Sequence, residues 1–134
     1  GSYMVVIGSF LNISSLASWL TVQEKDVILL CAGWKGKVCL EDSVFAGALA
    51  RRLLDSGKHS SSCDSVSIVL DLWKFAEPDL LAYIDKAAQR SRLRDKGLDD
   101  CIPFCHTEDS TDVIPYLKDG KLLNLNKHVP GEKN

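Results

Sequence analysis

The chain has 134 residues, 46% of them hydrophobic and 25% charged, with a formal net charge of -2. This suits one ordinary domain with a real core and excludes a disordered chain. It also argues against nucleic-acid binding, which needs a basic field, and no apolar run approaches the roughly 18 residues that span a bilayer.

The opening Gly1-Ser2-Tyr3-Met4 has neither a basic stretch nor a long apolar one, so it does not read as a signal peptide, and Gly1-Ser2 has the look of a cloning scar. Cys31, Cys39, Cys63, Cys101 and Cys105 are odd in number and irregular in spacing. Free thiols in a reducing, cytoplasmic setting are expected.

Residues 4–8 (Met-Val-Val-Ile-Gly) form a short apolar run closed by glycine, the pattern of a buried strand. Asn12 precedes Ile13, Leu16, Ala17 and Leu20, which have helical spacing, and is placed to cap that helix. Residues 26–32 repeat the strand signal with continuous rather than alternating apolarity, as in a strand covered on both faces. A helix is expected from Glu41 or Asp42 to Gly57, with Phe45, Ala46, Leu49, Leu53 and Leu54 as its apolar positions. Asp64 caps a third helix carrying Val66, Val69, Leu70 and Trp73, which Pro78 ends. A fourth is expected from about Asp79 to Lys96, with Leu80, Leu81, Ile84, Ala87 and Ala88 inward. Residues 98–106 allow either a short helix with Pro103 in its first turn or an extended segment. Asp119-Gly120 between two apolar runs signals a hairpin, because both turn positions favour positive φ.

The expected fold class is therefore α/β: a parallel-sheet core of strand–helix units with right-handed crossover and helices on both faces, plus a C-terminal β-hairpin. Residues 1–126 read as a single domain and 127–134 as a polar tail.

Ligands of open parallel sheets bind where strands hand over to helices. Two such places exist, Gly8–Asn12 and Gly33–Lys37, the second followed by Glu41-Asp42. Gly8 allows a tight turn, and Ser9 and Asn12 offer hydrogen bonds to an anion; on physics alone a turn with a helix cap is the simpler account of them. A phosphate-binding glycine loop does not fit, since Cys31 stands where the first glycine belongs and Val38 where Ser or Thr belongs. A cysteine phosphatase loop would need arginine at Lys37, and Cys31 reads instead as a small core residue. Glu41 and Asp42 could hold a Mg2+ with its waters or supply a general base, although acids also favour a first helical turn on dipole grounds.

His106, Glu108 and Asp109 form a further polar trio that matches no standard metal spacing, and His59 and His128 read as solvent residues. Trp19, Trp73 and Phe75 read as core, and Trp34 as a lid or interface residue. Arg90, Arg92, Arg94 and Lys96 read as a solvated helix face or an anion contact.

Two blocks carry a resemblance: Val6-Ile7-Gly8-Ser9-Phe10-Leu11-Asn12, and Cys31-Ala32-Gly33-Trp34-Lys35-Gly36 followed by residues 40–49, Leu-Glu-Asp-Ser-Val-Phe-Ala-Gly-Ala-Leu. Together with Val113-Ile114-Pro115 and Asp119-Gly120 they resemble the later part of the 2-phosphosulfolactate phosphatase family, over nearly the whole chain. The resemblance implies a Mg2+-dependent phosphoric monoester hydrolase that converts 2-phospho-3-sulfolactate, or a similar small anion, to sulfolactate and phosphate, a step of coenzyme M synthesis. It implies that Glu41 and Asp42 are the catalytic and metal-binding acids, and that Ser9, Asn12, Gly33 and Gly36 shape the anion pocket. It also implies an upstream half with further motifs, without which the chain is expected to be inactive. The competing readings are a noncatalytic anion- or nucleotide-binding domain and a dimerising half that forms a homo-oligomer.

Overall fold

The computed structural model describes residues 3–127. The expected polar tail lies outside them except for Lys127, as do Gly1, Ser2 and His128. The elements in chain order are α1 (Ile13–Gln23), α2 (Leu40–Asp55), α3 (Asp64–Ala76), α4 (Leu80–Ile84), α5 (Ala88–Asp95), α6 (Ile102–Cys105), β1 (Pro115–Lys118) and β2 (Lys121–Asn124). The fold is mixed helix and sheet, and no helix among the described residues is long and apolar enough to cross a membrane.

The core lies between α1, α2 and α3. Ile13, Leu16 and Leu20 of α1 meet Val44, Leu49 and Leu53 of α2 and Trp73 and Ala76 of α3. Phe10 sits among them, edge-on to Phe45 at 5.3 Å and tilted against Trp73 at 5.9 Å. The α2–α3 contact is the most extensive between helices, and Gly47 makes it possible. A Cβ there would run into the Val69 backbone carbonyl and stand 2.9 Å from Trp73 Cβ. The absence of that one carbon lets the two helices approach closely.

β1 and β2 form the expected hairpin, antiparallel with Tyr116 opposite Leu123. Asp119 (φ 50°) and Gly120 (φ 72°) supply the two left-handed turn residues. Segment 5–7 joins β1 on its other side: Ile7 N–H donates to Pro115 O at 2.9 Å, and Leu117 N–H donates to Val5 O at 2.9 Å. The pairing around Val6 and Tyr116 is antiparallel.

The parallel-sheet core expected from the sequence does not form among the described residues. The sole multi-residue ladder there is the hairpin, and residues 26–32 pair with nothing. Their burial also differs from the expectation. Val27 and Leu29 are half-buried against the core, while Ile28 and Leu30 are 85% and 90% exposed. The composition of a doubly covered strand is present, but its neighbours and one cover are not.

The fourth helix is broken. Ala87 is extended (ψ 138°) between α4 and α5. Asp85 then reaches Arg90 at 3.3 Å and Arg94 at 2.7 Å, and Asp99 reaches Arg90 at 2.9 Å. In one straight helix Asp85 and Arg94 would stand about 13 Å apart along the axis. Within the expected inward set Ile84 and Ala87 are buried, whereas Leu81 and Ala88 are exposed. Phe75, expected in the core, is 70% exposed. Residues 98–106 resolve to the helical alternative, with Pro103 in the first turn of α6.

Candidate active site

A groove of about 1130 Å³ runs between the extended segments 4–8 and 26–32, with α1 and α2 beneath it. Its lining is mainly apolar, and its polar groups include Ser9, Glu41, Asp42, Arg90 and His106. The two acids stand in the first turn of α2, where the partial positive charge of the helix end favours them.

Asp42 is held in place. Its Oδ2 accepts the Gly33 N–H at 2.8 Å, tying the start of α2 to the turn before it. That turn is a four-residue β-turn: Trp34 N–H donates to Lys37 O at 2.9 Å and Lys37 N–H donates to Trp34 O at 3.0 Å. Lys35 (φ 50°) and Gly36 (φ 74°) are its left-handed central pair. Gly33 (φ 67°) also needs the left-handed region, and a Cβ on it would stand 2.5 Å from Lys37 O. Gly33 and Gly36 thus shape the support of Asp42 and do not line the groove themselves.

Glu41 is half-buried, and its Oε2 is shielded from solvent with no hydrogen-bond partner among the described residues. A buried carboxylate oxygen without a partner costs stability unless a proton, a water or a cation meets it. Both acids offer hard oxygen donors, which fit Mg2+ better than softer metals. Among the described residues no three or more His, Cys, Asp or Glu side chains gather as a metal cluster. An ion such as Mg2+ usually takes one or two carboxylates and fills its other positions with water and substrate phosphate, and Glu41 Oε2 is a carboxylate oxygen with no other partner among the described residues.

At the first turn, Ser9 lines the groove, and Gly8 packs so tightly that a Cβ would meet Leu16 Cδ2 at 2.5 Å. Asn12 is buried, and its side chain is committed to the backbone. Its Oδ1 accepts Ser9 N–H at 3.0 Å, and its Nδ2 donates to Ile7 O at 3.1 Å and Val113 O at 2.9 Å. Instead of capping α1 it joins the turn to the segment before β1.

Cys31 is exposed rather than in the core. Desolvation by its surroundings, and then the Asp42 carboxylate, push its thiol above the ordinary value, which disfavours a nucleophilic thiolate. The polar trio divides. His106 faces the groove, with Nδ1 2.9 Å from Ile102 O; since a carbonyl only accepts, that nitrogen carries the proton. Asp109 instead caps α1, accepting Ser14 N–H at 2.9 Å and Ser14 Oγ–H at 2.6 Å. Arg52 reaches the same Ser14 hydroxyl at 2.7 Å and Glu108 at 2.7 Å. The Ser14 hydroxyl holds the Asp109 carboxyl below its usual range, helped by the Ser14 amide and Arg52.

The basic stretch is largely self-paired. Arg90 and Arg94 bridge Asp85 and Asp99, and Arg92 lies over the Trp34 ring at 5.1 Å while donating to Gln89. Trp34 is therefore a platform that links α5 to the turn supporting Asp42. Sequence reasoning missed Arg52 and Ser14, and it read Arg90 only as part of a solvated face or an anion contact, not as the partner of Asp85 and Asp99. Their partners lie 38 to 95 positions away in the chain or across the helix break, so no local spacing marks them.

The family model for 2-phosphosulpholactate phosphatase matches residues 2–120. The chain belongs to the 2-phosphosulpholactate phosphatase family. A probable 2-phosphosulfolactate phosphatase of Caldanaerobacter subterraneus subsp. tengcongensis is 32% identical over 87% of this chain and 48% of its own length. The protein of the same name in Thermotoga maritima is 31% identical over 89% of this chain and 50% of its own. That of Prochlorococcus marinus is 34% identical over 86% and 49%. The chain spans about half the length of these 2-phosphosulpholactate phosphatase relatives.

Proposed function

We propose that this chain supplies part of the active site of a Mg2+-dependent phosphatase acting on a small phosphorylated sulfonate or hydroxy acid such as 2-phospho-3-sulfolactate. The reading rests on the family and on one observation: Glu41 Oε2 is buried and unpartnered beside Asp42, at a helix start on a groove. With 2-phospho-3-sulfolactate as substrate the protein would serve coenzyme M synthesis.

Glu41 and Asp42 are the residues that would hold the Mg2+, which when bound supplies positive charge against the phosphoryl oxygens. The Gly33 amide fixes one oxygen of Asp42, so the carboxylate enters the reaction already oriented. One of the two acids takes the proton of the attacking water. Ser9, which lines the groove, would donate to the bound anion, while Asn12, Gly33 and Gly36 would act on the substrate indirectly, by holding the two turns in shape. A noncatalytic anion-binding domain would have no use for an unpaired buried acid at position 41.

The test is to replace Glu41 with Gln and Asp42 with Asn, separately, in a polypeptide that joins this chain to the remaining length of the family. Each change is isosteric and leaves an acceptor for the Gly33 amide. Phosphate release should fall by about 10²-fold or more with the fold retained. Unaltered turnover in both variants would defeat the proposal.

A further inference from the structure

The groove has a feature that the phosphatase reading does not use. Its two walls are non-helical backbone with unpaired edges, and residues 27–30 alternate half-buried and exposed as an extended segment does. On one wall, Val5 O and Ile7 N–H are bonded to β1. Backbone groups alternate along an extended segment, so those of Val6, and with them Met4 and Gly8, face away from β1. None of these has a partner among the described residues. On the other wall, residues 26–32 make no hydrogen bond at all among the described residues, backbone or side chain.

Native proteins pair or cover such edges, and both walls here line the same groove. Alternate side chains along both walls are apolar and open. Val5 is 55% and Ile7 44% exposed on one wall, Ile28 85% and Leu30 90% on the other. A surface of that kind belongs to a sheet that continues.

We propose that the groove is the seat of an inserted β-strand: an extended apolar segment that pairs with the backbone of 4–8 on one side and of 26–32 on the other. The geometry favours a strand over a helix, because a helix satisfies its own backbone and would leave both edges unpaired. The occupant is assigned to the part of the family's length that this chain does not span. The relatives run to about twice the matched length, and no segment between residues 3 and 127 fills the groove. The strand would also close the groove beside Glu41 and Asp42, which makes completion of the sheet and completion of the site one event. The inference stands on backbone pairing, so its test is independent of the phosphatase reading.

The measurement is hydrogen exchange of individual amides with and without the unspanned part of the Caldanaerobacter relative, made as a separate polypeptide and added in excess. Slowing of at least about 100-fold at Val6, Gly8 and alternate amides of 27–31, with little change at the already bonded Ile7, supports the proposal. Leu30→Asp, at a position too exposed to matter for the chain's own fold, should abolish the slowing without lowering the melting temperature. Three results would overturn it. The first is binding that leaves those amides unprotected. The second is no protection at any concentration of the added polypeptide. The third is protection that rises with this chain's own concentration alone, which would make a second copy the occupant.

Discussion

Asp42 and Gly33 show how much a single hydrogen bond can organise. The carboxylate reads as a helix-dipole acid from sequence, and it is one, but its Oδ2 also anchors the turn that carries Trp34. Asp109 plays a comparable part at the start of α1, where it accepts a backbone N–H that has no partner within the helix. Its folded pKa is depressed, so its stabilisation is present above the unfolded value near 3.9 and is lost as pH falls through the lower folded value. Asp109→Ala should therefore cost about 1 kcal/mol at neutral pH, and the gap from the parent should close below about pH 4. Urea titrations of both proteins across pH 3–7 check this, and a gap constant with pH would contradict it. None of this was legible in the sequence. Asp109 and Ser14 are 95 positions apart, and the left-handed backbone of Asp109 (φ 58°) leaves no local mark. Asn12, by contrast, was legible as a special residue, though its side chain serves Ser9, Ile7 and Val113 rather than the helix it precedes.

Helices whose apolar spacing is long and regular were legible to within a residue or two. The spacing of Ile13, Leu16 and Leu20, of Phe45, Leu49 and Leu53, and of Val66, Val69 and Trp73 matches α1, α2 and α3. The Asp119-Gly120 hairpin was equally plain, since its turn chemistry is local. The break at Ala87 was not, because ion pairs from Arg90 and Arg94 to Asp85 and Asp99 form only once the helix has bent. Gly47 was visible as a residue of the family block, but not as the contact point of two helices. Gly47→Ala would gain about 1 kcal/mol of helix propensity and lose more by forcing the Val69 carbonyl aside. A net destabilisation of about 1–3 kcal/mol is expected by chemical unfolding. A variant as stable as its parent would show that α2 and α3 can separate freely.

At the scale of the molecule, the apolar pattern marked a second strand that the structure leaves unpaired among the described residues. Residues 26–32 have the continuous apolarity of a parallel strand, yet a strand is stabilised by its neighbours, and among the described residues this one has none. Sequence pattern reports what a segment is suited to, not whether its partners are at hand. The chain covers about half the length of its relatives, and the exposed Ile28 and Leu30 line the same open groove as Glu41, whose Oε2 has no partner among the described residues. Helices α1 to α3 and the hairpin were therefore readable, and the lack of partners for residues 26–32 was not.

The most direct test of the account follows phosphate release from 2-phospho-3-sulfolactate as Mg2+ is titrated, using the polypeptide that joins this chain to the rest of the family's length. Release should require the ion, and Glu41→Gln should raise the Mg2+ concentration for half-maximal activity by at least about tenfold. Full activity in the presence of a chelator, or an identical Mg2+ midpoint in the variant, would contradict it.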